Sequence, residues 1–229
     1  NNKKISIIDA TFGGGGYSKS ILEKFSVDQL IAIDRDPATK VFAKKLFKNF
    51  NNFSLINGCF SKIDELILSH NKSKKNKFDA IIFDLGLSSN QLDDPKRGFS
   101  FMFNGPLDMG MGINSRKVSD IVNNYSELEL ANIIYNFGEE RLSRRIAKNI
   151  VAARKIKLIE STFELAELIK KSFPIPQQNK SKINPATKTF QALRIYLNDE
   201  LNELSKALNK SIYLLKPKGK LIIVSFQSL

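Results

Sequence analysis

The sequence is poor in cysteine and histidine, and this excludes two kinds of site. Its 229 residues include one cysteine and one histidine. A single cysteine excludes a disulfide framework within the chain, and one Cys with one His cannot form a Cys/His zinc site. A lone thiol is typical of a reducing cytosol. We therefore expect a cytoplasmic protein that holds no metal.

Long apolar runs are also lacking. No run approaches the roughly 18 residues that a membrane-spanning helix needs, so we expect no membrane segment. The polar stretch Asn1–Lys4 is followed at once by a strand-like run, which does not resemble a signal peptide. A strand so close to the first residue suggests a chain cut at this end. The content of 42% hydrophobic and 26% charged residues is typical of a soluble globular protein.

Positive charge is in clear excess. Lys and Arg number 36 against 23 Asp and Glu, which gives a net charge of +13. Such an excess favours a polyanionic partner, but a biased genome also produces a chain rich in Lys, Asn and Ile. Charge alone therefore leaves the substrate open. The lysine-rich segment Asn71–Lys77 is interpreted as a solvated loop, and the adjacent His70 as exposed.

The hydropathy pattern predicts a parallel sheet. Five short apolar runs, bounded by polar or turn-forming residues, are predicted to be strands: Ile5–Ala10, Leu30–Asp34, Phe53–Ile56, Ala80–Leu85 and Lys220–Phe226. Nearly continuous apolar runs indicate strands buried on both faces, as in parallel sheets with crossover helices. Tyr17–Phe25 and Pro37–Asn49 are predicted to be two of these helices.

From about Gly105 to Lys188 the pattern changes to helices alone. Two capping boxes, Ser126 with Glu129 and Ser161 with Glu164, predict helix starts. A helix is predicted over Glu139–Arg154 with basic residues on its polar side: Arg141, Arg144, Arg145, Lys148 and Arg154. Thr189–Leu215 is predicted to be one helix whose leucines face the core. We therefore expect a sheet domain of residues 1–105 and 189–229, interrupted by a helical domain of residues 106–188.

A glycine-rich loop, Gly13–Gly16, follows the first predicted strand. Glycines at this position let the backbone pass close to a ligand at the start of the next helix. Dinucleotide-binding folds and methyltransferases both use such a loop. The match to the dinucleotide fingerprint is poor, because the sixth position is Ser18 or Lys19, and the phosphate-loop ending is absent. A turn that is merely rich in glycine stays open as an alternative.

Acidic and aromatic residues follow the next strands. Asp34 ends the second strand, where a carboxylate accepts hydrogen bonds from ribose hydroxyls and repels a 2′-phosphate. Asp36 is predicted to be a helix N-cap because Pro37 follows it. After the third strand, Phe60 either flanks an adenine ring or belongs to the core. Cys59 is interpreted as a small buried hydrophobic residue.

Two long blocks carry a specific resemblance, and a shorter block ends the chain. They are Phe83–Phe101 continuing through Gly105–Met111, Asn184–Ile195 continuing to Leu201, and Val224–Leu229. Together they closely resemble the bacterial 16S ribosomal RNA (cytosine-N4)-methyltransferase family. The resemblance implies a Rossmann-like, S-adenosylmethionine-dependent methyltransferase sheet with an inserted all-helical RNA-recognition domain. It also implies 16S ribosomal RNA of the small ribosomal subunit as the partner, and a chain truncated at both ends.

The same resemblance implies which residues contact S-adenosylmethionine. They are Gly15, Gly16, Tyr17, Asp34, Phe60, Asp84 and Gln91. The chain departs from the family at Tyr17, Asn184 and Gln227, where His is usual. Gly110 and Gly112 stand where basic and acidic residues are common. These departures concern the fine geometry more than the reaction.

Asp108 is the candidate catalytic residue. The N4 amine of cytosine is a weak nucleophile, and an acceptor for its N–H would stabilise the charge that develops during attack. Asp108 either provides this acceptor or only fixes its loop by capping backbone amides. Phe99, Phe101 and Phe103 either stack on the unstacked cytosine or pack between domains.

Two other functions remain open at this stage. A nicotinamide-dependent oxidoreductase shares the sheet but needs the dinucleotide fingerprint. A non-catalytic RNA-binding assembly factor would keep the basic helix without needing Gly15, Asp34 or Asp84. A homodimer is also left open.

Overall fold

The computed structural model describes residues 4–70, 77–112, 116–174 and 184–225. It divides into two compact units. The first comprises Asn1–Ser89 with Leu201–Leu229, and the second comprises Asn90–Glu200. The second unit contains the expected insert of residues 106–188 and extends beyond it on both sides. Gln227, and residues 71–76 of the predicted loop Asn71–Lys77, lie outside the described residues.

The first unit is built on a five-stranded sheet. In chain order its strands are β1 Ile5–Asp9, β2 Val27–Asp34, β3 Phe53–Asn57, β4 Phe78–Leu85 and β5 Leu215–Ser225. Every pairing is parallel, and the spatial order is β3-β2-β1-β4-β5. The predicted Rossmann-like sheet is confirmed. Because the strands are parallel, all their carboxyl ends meet at one edge, where such folds bind ligands.

Helices connect the strands and fill the second unit. In chain order they are α1 Gly16–Lys24, α2 Lys40–Asn49, α3 Ile63–His70, α4 Ser89–Asp93, α5 Val118–Asn124, α6 Glu127–Gly138, α7 Ser143–Arg154, α8 Thr162–Lys171, α9 Thr187–Leu197 and α10 Glu200–Leu214. Both predicted capping boxes are present, at the start of α6 and of α8. Among the helices described, none is long and apolar enough to cross a membrane.

Alternating side chains of the strands bury both faces of the sheet. On one face, Ile8 and Ile81 belong to a cluster that includes Ile63 from α3. On the other, Ile7 and Ile82 belong to a cluster that includes residues of α1 and α2. Consecutive strand residues therefore enter opposite cores, which explains the nearly continuous apolar runs.

Strand β5 differs from its prediction. It was expected to be buried over Lys220–Phe226, but it begins at Leu215 and forms the edge of the sheet. Ile222 and Ile223 are 42% and 43% exposed. The physical reason is that no strand in the described ranges pairs with its outer edge. The register of the β4–β5 pairing shifts between Phe78 and Ala80, and extra residues of β5 accommodate this shift.

Two predicted helices have the wrong limits. The helix expected over Glu139–Arg154 begins only at Ser143, because Glu139 adopts a left-handed conformation, φ 49°, that ends α6. The single helix expected over Thr189–Leu215 is two helices, α9 and α10. Asn198 caps the first, and Asp199 has a φ of 52°, which breaks the helical path.

Candidate active site

The glycine loop joins β1 to α1 and is shaped by left-handed backbone. Gly13 and Gly15 have φ values of 52° and 81°, which glycine adopts without strain. A Cβ on Gly15 would lie 2.8 Å from the ring of Phe12. A Cβ on Gly16 would meet nothing within 4 Å in the part of the chain that the structure describes. The backbone of Gly16 is therefore open to a ligand.

Asp34, at the carboxyl end of β2, is tied to this loop. One carboxylate oxygen, Oδ2, accepts a hydrogen bond of 2.7 Å from the backbone N–H of Gly13. The other accepts one of 2.8 Å from the N–H of Asp36. Burial raises the pKa of Asp34 above its ordinary value. Each oxygen keeps a further lone pair for a ribose hydroxyl, so both a structural and a binding role are possible for this carboxylate.

Asp84, at the carboxyl end of β4, carries a buried oxygen that lacks a partner. Its backbone N–H donates to the Thr11 hydroxyl at 2.7 Å. Its side-chain Oδ1 is buried and has no hydrogen-bond partner in the described structure. Burial also raises the pKa of this carboxyl group. A buried acceptor without a partner is costly unless a ligand donates to it, so this position fits the ammonium or a hydroxyl of S-adenosylmethionine.

Asp9 was missed by the sequence reasoning. It ends β1, is almost fully buried, and accepts a hydrogen bond of 2.6 Å from the Ser18 hydroxyl of α1. Its other oxygen accepts from the N–H of Thr11 at 3.3 Å. Asp9 thus holds the glycine loop at both ends. The only signal in the sequence was an acidic residue closing an apolar strand.

Burial gives Asp9 a testable pH dependence. Desolvation, opposed by the Ser18 hydrogen bond, raises its pKa from 3.8 to about 6. The folded state then binds a proton more tightly than the unfolded state between these two values. The contribution of Asp9 to the free energy of unfolding therefore falls as the pH rises from about 4 to 6, and the loss is complete above that window.

We expect Asp9→Asn to lack this fall in stability. The variant's free energy of unfolding, relative to that of the parent, should rise by on the order of 3 kcal/mol between pH 4 and pH 7. Urea unfolding at a series of pH values measures the difference. In Ser18→Ala, which loses the hydrogen bond favouring the carboxylate, the fall should be larger than in the parent and should extend to higher pH. If the free energies of unfolding of the parent and Asp9→Asn changed with pH in parallel, Asp9 would not be the group with the raised pKa.

The other expected cofactor residues have different surroundings. Tyr17 is exposed in the first turn of α1. Phe60 is half-buried, and its ring packs edge-on against Phe83 with centroids 5.7 Å apart, as expected of a core residue. Gln91 lies in α4 and belongs to the second unit. Cys59 is half-buried, not fully buried as expected, because it lies in the loop after β3.

Asp108 lies in the second unit, in a segment that we call the Asp108 loop, Pro106–Met111. Its Oδ1 accepts a hydrogen bond of 2.9 Å from the N–H of Gly110, which is the loop-fixing contact left open above. Its Oδ2 lies 3.4 Å from the ammonium of Lys117, and the carboxylate side chain is 30% exposed. One oxygen is therefore structural, and the other faces a cation and solvent.

The three phenylalanines before this loop have different surroundings. Phe99 is buried, with the Arg97 guanidinium 5.5 Å from its ring centroid. Phe101 packs edge-on against Phe190 of α9. Phe103 is 54% exposed and is therefore the one available to a nucleobase.

Helix α7 presents the predicted basic side chains unequally. Arg144, Arg145 and Lys148 are exposed, as is Arg141 just before the helix. Arg154 is instead structural, because its guanidinium donates to the backbone carbonyl of Val122 at 2.6 Å and also to that of Tyr125. Within the described residues, no group of three His, Cys, Asp or Glu side chains is arranged to hold a metal.

Comparison with known proteins identifies the family of the chain. The chain is 48% identical over 223 residues to ribosomal RNA small subunit methyltransferase H of Paramagnetospirillum magneticum, covering 97% of this chain and 68% of the relative. The proteins of the same name from Ehrlichia canis and Rickettsia massiliae are 46% and 47% identical, covering 97% and 98% of this chain and 73% and 70% of theirs. The model of the MraW methylase family matches residues 1–229. The chain therefore belongs to the MraW methylase family.

Proposed function

We propose that this methylase transfers a methyl group from S-adenosylmethionine to the N4 amine of a cytidine in 16S ribosomal RNA. Membership of the family makes the chain a methyltransferase that uses S-adenosylmethionine. Its relatives are named for the RNA of the small ribosomal subunit. The observation in the structure that carries the proposal is the buried, unpartnered Oδ1 of Asp84, beside a glycine loop open at Gly16.

The cofactor side of the proposal assigns one task to each contact. The backbone of Gly15, Gly16 and Tyr17, which is open at Gly16, would bind the ligand at the start of α1. Asp34 accepts hydrogen bonds from the ribose hydroxyls, and Asp84 accepts one through its buried Oδ1. We further assign Phe60 to the adenine ring and Gln91 to the cofactor, as the family resemblance implies.

The chemistry needs accurate positioning more than acid–base strength. When bound, S-adenosylmethionine would supply a methyl group activated by a sulfonium sulfur, and the protein would have to hold the amine close to it. Oδ2 of Asp108 accepts a hydrogen bond from the N4 amine, which stabilises the positive charge that develops on nitrogen. The S–C bond of the methyl group breaks as the N–C bond forms, S-adenosylhomocysteine is the leaving group, and the surplus N–H proton passes to solvent water. Oδ1 meanwhile keeps the loop in place through Gly110.

The RNA must present an unstacked cytosine to such a site. Enzymes that act on a base turn it out of the helix and hold it by stacking and hydrogen bonds. The exposed ring of Phe103 supplies a stacking surface in the second unit. Ribosomal RNA of bacteria lies in the cytoplasm, and we place the protein there. The homodimer left open above finds no support.

The sharpest test of the substrate is nucleoside mass spectrometry. Small-subunit RNA from cells lacking this protein should lose one N4-methylated cytidine, and the purified protein with S-adenosylmethionine should restore it. Calorimetry with S-adenosylmethionine and with NAD separates the alternatives in parallel. An unchanged nucleoside profile would contradict the proposed substrate. Binding of NAD without binding of S-adenosylmethionine would favour the oxidoreductase function.

Helix α7 provides a second prediction about RNA binding. Arg144→Ala with Arg145→Ala should reduce the slope of log affinity against log salt by about 1.4–1.8, because each phosphate contact contributes about 0.7–0.9. The matched control is Lys44→Ala with Lys45→Ala, which removes two adjacent exposed charges from α2. Titration of a 16S fragment at several salt concentrations measures both. A parent-like slope for the α7 double variant would show that Arg144 and Arg145 do not contact phosphates.

A further inference from the structure

One buried side chain in the second unit is bonded to the backbone on both sides of Gly110. Asn198 is fully buried at the end of α9. Its amide nitrogen donates 2.9 Å hydrogen bonds to the carbonyls of Met109 and Arg194. Its amide oxygen accepts one of 3.0 Å from the N–H of Met111. Both donors and the acceptor are used, so the amide has one favourable orientation.

The Asp108 loop needs such a restraint. Met109 has a φ of 55°, in the left-handed region that residues other than glycine rarely adopt. Arg97 holds the loop as well, because its carbonyl accepts from the Met109 N–H and its guanidinium donates to the Gly110 carbonyl, both at 2.9 Å. The unusual backbone directly after Asp108 is thus held by hydrogen bonds from two separate segments.

We propose that Asn198 is a positioning residue for methyl transfer. It holds the backbone of Met109 and Met111, and thereby the peptide N–H of Gly110 that Oδ1 of Asp108 binds. Without Asn198, Met109 relaxes toward ordinary backbone and the outward-facing Oδ2 of Asp108 loses its direction. This inference rests on the proposed role of Asp108 as the hydrogen-bond acceptor for the target amine.

The second unit offers a close match for a control. Asn123 also donates to the carbonyl four residues earlier in its own helix, Ser119, and to a distant carbonyl, that of Ile159. It likewise accepts from a backbone N–H, again of Ile159. Asn123 therefore makes the same three kinds of hydrogen bond, but its distant partner is Ile159. The Asp108 loop is bonded to the residues beside these partners, through Leu107, and not to the Asn123 side chain in any of these three bonds.

The test compares rates in folded variants. Asn198→Ala should lower the single-turnover methylation rate of 16S RNA about tenfold, since small displacements of reacting groups reduce rates steeply. The dissociation constant of S-adenosylhomocysteine, measured by calorimetry, should stay within about twofold of the parent value. Asn123→Ala should lower the melting temperature comparably and keep its rate within about twofold. If Asn198→Ala does not fold, Asn198→Ser, which keeps one donor, replaces it.

A double-mutant cycle with Asp108→Asn then decides the mechanism. If Asn198 acts through Asp108, adding Asn198→Ala to Asp108→Asn should change the rate by less than about twofold. Additive effects, or a parent-like rate for Asn198→Ala, would overturn the positioning role while leaving the proposed function intact. A parent-like rate for Asp108→Asn removes both residues from the mechanism, and a parent protein that fails to methylate 16S RNA rejects the proposed function itself.

Discussion

Replacing Asp34 by alanine is expected to weaken binding of S-adenosylmethionine by on the order of 1.5–3 kcal/mol, or roughly 10- to 150-fold. The reason is the loss of a charge-assisted contact to ribose from the carboxyl end of β2. Isothermal calorimetry on the folded variant measures this loss directly. Unchanged affinity would remove Asp34 from the cofactor site.

The structure complicates this experiment, because Asp34 also accepts from the N–H groups of Gly13 and Asp36. Alanine therefore loosens the glycine loop as well as removing the ribose acceptor. Asp34→Asn retains an acceptor oxygen for only one of these two N–H groups and places its NH2 against the other, so it disturbs the loop as well. A comparison of S-adenosylhomocysteine with an analogue lacking both ribose hydroxyls separates the two roles.

In the parent, the analogue should bind more weakly than S-adenosylhomocysteine. In Asp34→Ala, the two ligands should bind about equally, because the group that distinguished them is gone. If the variant still discriminates between them as the parent does, Asp34 acts only by holding the loop. Its role would then be structural, like that of Asp9.

The sheet could be predicted from the sequence because one physical pattern dominates it. Strands buried on both faces need nearly continuous apolar residues, and four of the five predicted runs coincide with a strand to within three residues. Burial of β5 could not be predicted this way, since it depends on what pairs with its outer edge. The same apolar run suits a central strand or an exposed one.

The predicted helix limits were wrong at positions where a single residue adopts an unusual backbone conformation. Neither Glu139 nor Asp199 is glycine, yet both adopt positive φ and interrupt helical patterns. The leucines on either side keep three- and four-residue spacing across the break, so periodicity alone predicts one helix. Asn198 lies at that break, and its side chain forms hydrogen bonds with the Asp108 loop. No local sequence pattern reveals such a tertiary contact.

Only part of the candidate site could be predicted, because some of its residues act through tertiary contacts. Asp34 and the glycines lie where the fold binds ligands, so position along the chain was enough to nominate them. Asp9 acts through a contact with Ser18 across the glycine loop, and Thr11 accepts from the N–H of Asp84, which is distant in sequence. The resemblance nominated Asp84, but only the structure shows that its Oδ1 is buried without a partner among the described residues.

Replacing Asp108 by asparagine is expected to lower the methylation rate at saturating cofactor and RNA by a factor on the order of a hundred or more. Asparagine keeps an oxygen for the N–H of Gly110, so the contact that fixes the loop survives. What is lost is the acceptor, with its charge, that Oδ2 would present to the N4 amine, because the asparagine NH2 takes its place. Affinities for S-adenosylmethionine and RNA should stay close to those of the parent.

Lys117 provides the control for this experiment, because Asp108→Asn also breaks its ion pair. The ammonium is 55% exposed, and such pairs contribute only about 0–1 kcal/mol to stability. Lys117→Met removes the ion pair and leaves the carboxylate intact, so it should methylate at close to the parent rate and melt at nearly the same temperature. Single-turnover rates and melting temperatures are measured on the same samples.

The combination of results separates an acceptor from a structural residue. A slow Asp108→Asn with a parent-like melting temperature, beside an active Lys117→Met, assigns the loss to the carboxylate charge. If both variants are slow, the ion pair orders the loop, and Asp108 acts by geometry alone. If Asp108→Asn melts at a lower temperature but its folded fraction methylates at the parent rate, the hydrogen bond to Gly110 is the whole of its role.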